Sequence, residues 1–136
     1  MKNKKLTEEI RFGVQSNTIV IDKPTLQQCL DSLYRLNGKE RSWIGIELYE
    51  NVYEDSVKRC SIVGGGVWFA VDFEIDGRFF RALKSNFSNE QHKVVTGGQA
   101  VYLDDEECLE LRDAERLLSW FYKSGKRASG FHWRES

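Results

Sequence analysis

Val67-Trp68-Phe69-Ala70-Val71-Asp72-Phe73-Glu74-Ile75 is the segment that most narrows the fold. Side chains of a strand alternate between its two faces, so Val67, Phe69, Val71, Phe73 and Ile75 share one of them. Trp68, Ala70, Asp72 and Glu74 take the other. Asp76-Gly77 follows at once, and a type I′ turn, which needs positive φ at both central residues, favours this dipeptide. The chain therefore returns over 78–84 as an antiparallel partner.

The remaining elements follow from local pattern. Thr18-Ile19-Val20-Ile21 is a short β-branched strand. Pro24-Thr25 opens a helix in which Thr25 and Gln28 have capping-box spacing. Leu26, Cys29, Leu30, Leu33 and Leu36 form its apolar stripe, and Asn37-Gly38 stops it. Ile44, Ile46 and Leu48 alternate as a strand, and 93–96 and 99–103 pair across Gly97-Gly98. Ala114, Leu117, Leu118 and Phe121 predict a second helix over 112–124 that ends at Gly125. Phe131-His132-Trp133 reads as a last strand. The order β-α-β-β-β-β-β-α-β predicts an α+β fold: a mostly antiparallel sheet of about five to seven strands with two helices packed on one face. No repeat or linker interrupts the chain, so 1–136 reads as a single domain, with 1–16 expected to be loosely ordered.

A chain of 136 residues and 15.8 kDa buries about two-thirds of its extended surface, enough for one core without disulfides or metal. No apolar run approaches 18 residues, which excludes a membrane helix, and the basic start lacks the apolar stretch of a secretory signal. Cys29, Cys60 and Cys108 are odd in number and scattered, so they make no disulfide framework. These features lead to the expectation of a cytoplasmic protein.

The net charge of −1 conceals a split. Residues 40–115 hold 16 acidic and 8 basic side chains, while 1–39 and 116–136 together hold 5 acidic and 12 basic. The acidic middle includes Glu47, Glu50, Glu54 and Asp55, then Asp72, Glu74 and Asp76, then Asp104-Asp105-Glu106-Glu107. A nucleic-acid binder would carry lysine and arginine there. An acidic middle repels phosphate and attracts a basic partner.

Catalytic patterns are sparse. Gly64-Gly65-Gly66 leads into a strand with no Gly-Lys-Ser/Thr after it, so it reads as a turn or bulge. His92, His132, Cys60 and Cys108 lack metal-ligand spacing, no Gly-x-Ser-x-Gly elbow is present, and the zinc-deaminase signature is missing. The expectation is no catalytic residue, no metal and no cofactor. Gly97-Gly98-Gln99 is similar to the Gly-Gly-Gln of peptide release factors, which leaves a small peptidyl-tRNA hydrolase as the alternative function, beside a non-catalytic scaffold domain. Trp120 falls beside the core stripe of its helix rather than within it.

The run Cys108-Leu109-Glu110-Leu111-Arg112-Asp113-Ala114, then Phe121-Tyr122-Lys123-Ser124-Gly125-Lys126-Arg127, then Trp133-Arg134-Glu135, resembles the Imm1 group of bacterial immunity proteins. Upstream, Pro24-Thr25, Ile46-Glu47-Leu48 and the Gly-rich loop before the Asp72 strand agree in order, so the resemblance spans roughly residues 18–135. It implies an α+β antitoxin that neutralises the C-terminal domain of a cognate secreted toxin, often a nucleic-acid deaminase or nuclease. It also implies structural roles for Gly125 and Trp133. The expected partner is that toxin domain, with no direct nucleic acid and no membrane, and the chain itself a monomer or weak homodimer. From composition and strand phase, the expected toxin-binding residues are Glu47, Glu50, Asp72, Glu74, Asp104 and Asp105, with Trp68 as an aromatic anchor.

Overall fold

The computed structural model describes residues 3–50 and 57–136. Glu54 and Asp55 of the acidic middle lie outside the described residues. The elements are β1 (Asn3–Phe12), β2 (Gln15–Asp22), α1 (Leu26–Arg35), β3 (Trp43–Tyr49), β4 (Lys58–Gly65) and β5 (Trp68–Ile75). They continue with β6 (Arg78–Leu83), β7 (Gln91–Thr96), β8 (Gln99–Asp104), α2 (Leu111–Ser124) and β9 (His132–Glu135). Seven strands make one antiparallel sheet in the order β2-β1-β3-β4-β5-β6-β9, and β7 and β8 form a separate hairpin. The fold is α+β.

Both helices pack on one face of the sheet. Thr25 caps α1: its hydroxyl accepts from the Gln28 N–H at 3.1 Å while the Gln28 side chain accepts from the Thr25 N–H at 2.9 Å. Gly125 ends α2 in the left-handed conformation, φ 64°, its N–H bonded to the Phe121 carbonyl. The core fills the space between helices and sheet with Leu33, Leu117, Leu118 and Phe121 from the helices and Leu6, Ile44, Ile46, Ile62, Val71 and Phe73 from the strands. Phe73 meets the rings of Phe121 and Trp133, each at 4.9 Å between centroids. Trp133 also donates from Nε1 to the Ala128 carbonyl, so β9 is fastened to the chain that leaves α2. Gly125 and Trp133 both have structural positions.

Two strands depart from the sequence expectation. Residues 3–12 are not loosely ordered; they form β1, which pairs with β2 on one side and β3 on the other. The pattern of β1 is masked because Glu8 occupies a core-facing position between Leu6 and Ile10. Arg35 and Arg41 both pair with its carboxylate and tie α1 and the following loop to the sheet. Burial alone would raise the Glu8 carboxyl; the Ser32 hydroxyl beside it and the Arg35 and Arg41 guanidiniums together outweigh burial and hold the group below the ordinary glutamate range. β4 was likewise hidden, since Arg59 and Ser61 interrupt its apolar residues Cys60 and Ile62. Val67 belongs to the turn before β5 and is 71% exposed, so the apolar face of that strand begins at Phe69.

The three thiols are all buried, Cys29 in α1, Cys60 in β4 and Cys108 between β8 and α2. Burial pushes Cys29 up to about 12 and Cys108 up to about 11, and raises Cys60 as well.

Candidate partner-binding surface

The sheet face turned away from the helices carries three of the six expected carboxylates, Glu47, Asp72 and Glu74. Register places Lys5, Glu47, Arg59 and Glu74 in one row across β1, β3, β4 and β5. A second row runs through Ser61, Asp72, Arg81 and Arg134 across β4, β5, β6 and β9. Opposite signs alternate along the first row; in the second, Arg81 and Arg134 stand side by side. Glu47 lies 3.4 Å from Lys5 and 3.0 Å from Arg59, and Arg59 reaches Glu74 at 2.7 Å. Arg81 holds both oxygens of Asp72, at 2.6 and 2.9 Å, and extends to Glu107 at 3.1 Å. Arg134 also pairs with Glu107.

Glu47, Asp72 and Glu74 do share a face with Trp68, as their phase requires. Their charges are cancelled within the molecule by Lys5, Arg59 and Arg81. A neutralised ion pair projects little field toward a partner. Glu50, at the exposed end of β3, offers its backbone carbonyl to the Asn3 side chain at 2.6 Å.

Trp68 does not stand out as a free anchor. Its indole stacks on His92 of β7 with centroids 4.3 Å apart, and the Lys84 ammonium lies 4.8 Å from the ring. The physical reason is the β7–β8 hairpin, which folds over this end of the sheet and inserts Val94, 2% exposed, beside it. The same contact gathers Asp105: it bonds Lys84 at 3.0 Å, His92 Nε2 at 2.6 Å and the Ser88 N–H at 2.8 Å. The Ser88 N–H does most to hold the Asp105 carboxyl far below the usual aspartate range; burial opposes it, and Lys84 and His92 add to it. Asp105 thus latches the hairpin onto the sheet.

Because its folded value is depressed, Asp105 stabilises fully above the unfolded value near 3.8 and loses that contribution as pH falls toward the folded one. Asp105→Asn is expected to cost about 1–3 kcal/mol at pH 7, and the gap from wild type should narrow steadily below about pH 3.8. Urea midpoints at pH 7, 4 and 2.5 check this; a gap independent of pH would show that the carboxylate charge is not what matters.

One acidic region is cancelled only in part. Phe87, Ser88, Asn89, Glu90, Asp104 and Glu106 line a shallow depression of about 250 Å³ beyond the end of the hairpin. The Asp104 carboxylate accepts from the Gln91 side-chain amide at 3.1 Å, and the Asp104 N–H donates to the Glu107 carboxylate at 3.0 Å. Among the described residues, no lysine or arginine pairs with Glu90 or Asp104, and Glu106 has Arg134 at 3.8 Å. Phe87 is 52% exposed, and Tyr102, on the same outward hairpin face as Asp104, is 69% exposed. The structure thus separates the neighbours Asp104 and Asp105, one outward and one inward. The sequence reading missed Phe87, Glu90 and Tyr102; the strand phase that joins Tyr102 to Asp104 was the available signal for the last.

Gly97-Gly98 is the two-residue turn of this hairpin, with φ of 57° and 81°, and Thr96 pairs with Gln99 behind it. Among the described residues, no three His, Cys, Asp or Glu side chains converge to hold a metal, and no helix is long and apolar enough to cross a membrane. No family model matches this sequence, and no curated protein is similar enough to it to assign a relative.

Proposed function

We propose that the chain is an immunity-type protein that binds a cognate secreted toxin domain, a nucleic-acid deaminase or nuclease, and neutralises it by covering its basic cleft. The observation that carries this reading is the depression rimmed by Glu90, Asp104 and Glu106 and flanked by exposed Phe87 and Tyr102. An enzyme that acts on nucleic acid needs a cationic groove, because phosphates dominate its affinity. Glu90 and Asp104, with which no lysine or arginine pairs among the described residues, complement such a groove in charge, and the aromatic side chains next to them supply apolar contact at its centre. The resemblance to the Imm1 group, which rests on other residues, supports the same role. Occlusion needs no catalytic group in the inhibitor. A standard interface of about 800 Å² would occupy about a tenth of the 7825 Å² surface. Three unpaired cysteines suit a reducing cytoplasm, where an antitoxin must act.

The test is association with the C-terminal domain of the toxin encoded beside this chain, followed by stopped-flow fluorescence. Asp104→Lys combined with Glu106→Lys is expected to slow association by about tenfold at low salt. Lys5→Gln combined with Glu47→Gln, which removes one pair whole and leaves Arg59 with Glu74, should leave it within about twofold. Equal loss from both variants would assign the docking surface to the sheet face, and no binding by the unmodified chain would end the immunity reading.

A further inference from the structure

α2 carries a second stripe beside its core-facing one. Arg116, Ser119, Trp120 and Lys123 follow i, i+3, i+4, i+7 spacing and so face the same way. They do not face solvent alone. With Leu30 of α1 and Phe131 after α2 they enclose a groove of about 420 Å³, within the range of ligand-binding clefts. Trp120 is 47% exposed along it. The Arg116 guanidinium lies 5.3 Å from the Phe131 ring, which restrains it before anything binds.

The charges of the groove are unbalanced. Among the described residues, no carboxylate forms an ion pair with Arg116 or Lys123, in contrast to the paired arginines of the sheet face. Glu115 also lines the groove, beside the Tyr34 phenol, so two cations there face one carboxylate. The wall at Ala128 and Ser129 is shared with a neighbouring depression in which Lys58, Lys126 and Arg127 outnumber the one carboxylate, Asp76. A cationic belt with an aromatic floor results, and this is where the basic 116–136 segment places its excess charge.

We propose that this groove binds an acidic peptide segment of a protein partner, its carboxylates on Arg116 and Lys123 and an apolar side chain between them on Trp120. Arg116 and Lys123 are seven residues apart, so their backbone positions are about 10 Å apart along the helix. An extended chain rises about 3.4 Å per residue, so carboxylates two to four residues apart match that span. The arginine fork suits a planar carboxylate, and a restrained guanidinium loses less freedom on binding. This site lies on the helix side of the molecule and does not depend on the immunity reading.

The probe is a fluorescein-labelled peptide, Asp-Glu-Phe-Glu-Asp, followed by anisotropy with the full chain at low salt. Saturable binding is expected, absent for Lys-Lys-Phe-Lys-Lys of equal length. Arg116→Glu with Lys123→Glu, and separately Trp120→Ala, should each weaken it by about tenfold. Asp104→Lys should not weaken it, which keeps this test separate from that of the toxin surface. The side chains exchanged here are at the groove rather than in the core, and unchanged urea midpoints would verify that the variants are folded. Binding that is indifferent to both cation reversals, equal capture of the basic peptide, or stronger competition by oligothymidylate than by unlabelled acidic peptide would each overturn the assignment.

Discussion

Arg81→Ala is expected to lower the free energy of unfolding by about 3 kcal/mol, although the residue lies on the polar face of the sheet. Arg81 is bidentate to Asp72 and reaches Glu107, whose side chain is only 8% exposed. Removing one member of a buried pair leaves a charge that neither water nor protein compensates, and such losses are typically about 3–5 kcal/mol. The lower end applies because Arg134 still reaches Glu107. Arg59→Ala is the natural comparison: Arg59 is 39% exposed, so its removal should cost under about 1 kcal/mol. Urea unfolding of both variants at neutral pH decides the matter. Equal losses would mean that burial of Glu107 does not set the cost.

Gly65→Ala is expected to destabilise by about 3 kcal/mol or more, or to prevent folding. The residue has φ of 124°, a region closed to side chains, and an added Cβ would lie 2.6 Å from backbone atoms of Leu36, Asn37 and Gly38. Those atoms belong to the loop that leaves α1, which bridges to β4 at Asn37 and Gly65. Backbone cannot swing aside as a flexible side chain can, so strain and overpacking add. Gly77→Ala provides the contrast: it also has positive φ, but an added Cβ there meets nothing within 4 Å. Thermal melts of the two variants should therefore differ by several degrees. Similar melts would place the whole effect in the torsion angle and none in the packing.

Sequence disclosed those parts of the fold whose chemistry is local. The Asp76-Gly77 turn has φ of 53° and 75°, both capping-box bonds of α1 form, and Gly125 ends α2 as expected. β1 was illegible because periodicity treats a glutamate as an outward residue, whereas Glu8 is admitted to the interior by two arginines from elsewhere in the chain. Part of the site was readable but unread. A two-residue turn at Asp76-Gly77 sets Ile75 opposite Arg78 and, counting back, Asp72 opposite Arg81, so that neutralisation was implicit in the hairpin. The Glu47–Arg59 pair was not, because the register between β3 and β4 is fixed by the assembled sheet rather than by a short turn. Asp104 and Asp105 differ for a similar reason. Only the docking of the hairpin onto Trp68 decides which of the two turns inward.

The placement of the thiols has a practical consequence. Cys29 on α1 and Cys60 on β4 face the same core between helices and sheet, whereas Cys108 is enclosed at the root of the hairpin. None can meet an alkylating reagent until the part that encloses it opens, so the order in which iodoacetamide marks them is a chronology of how the molecule comes apart. If the hairpin lifts off first, Cys108 is modified while the other two are still silent.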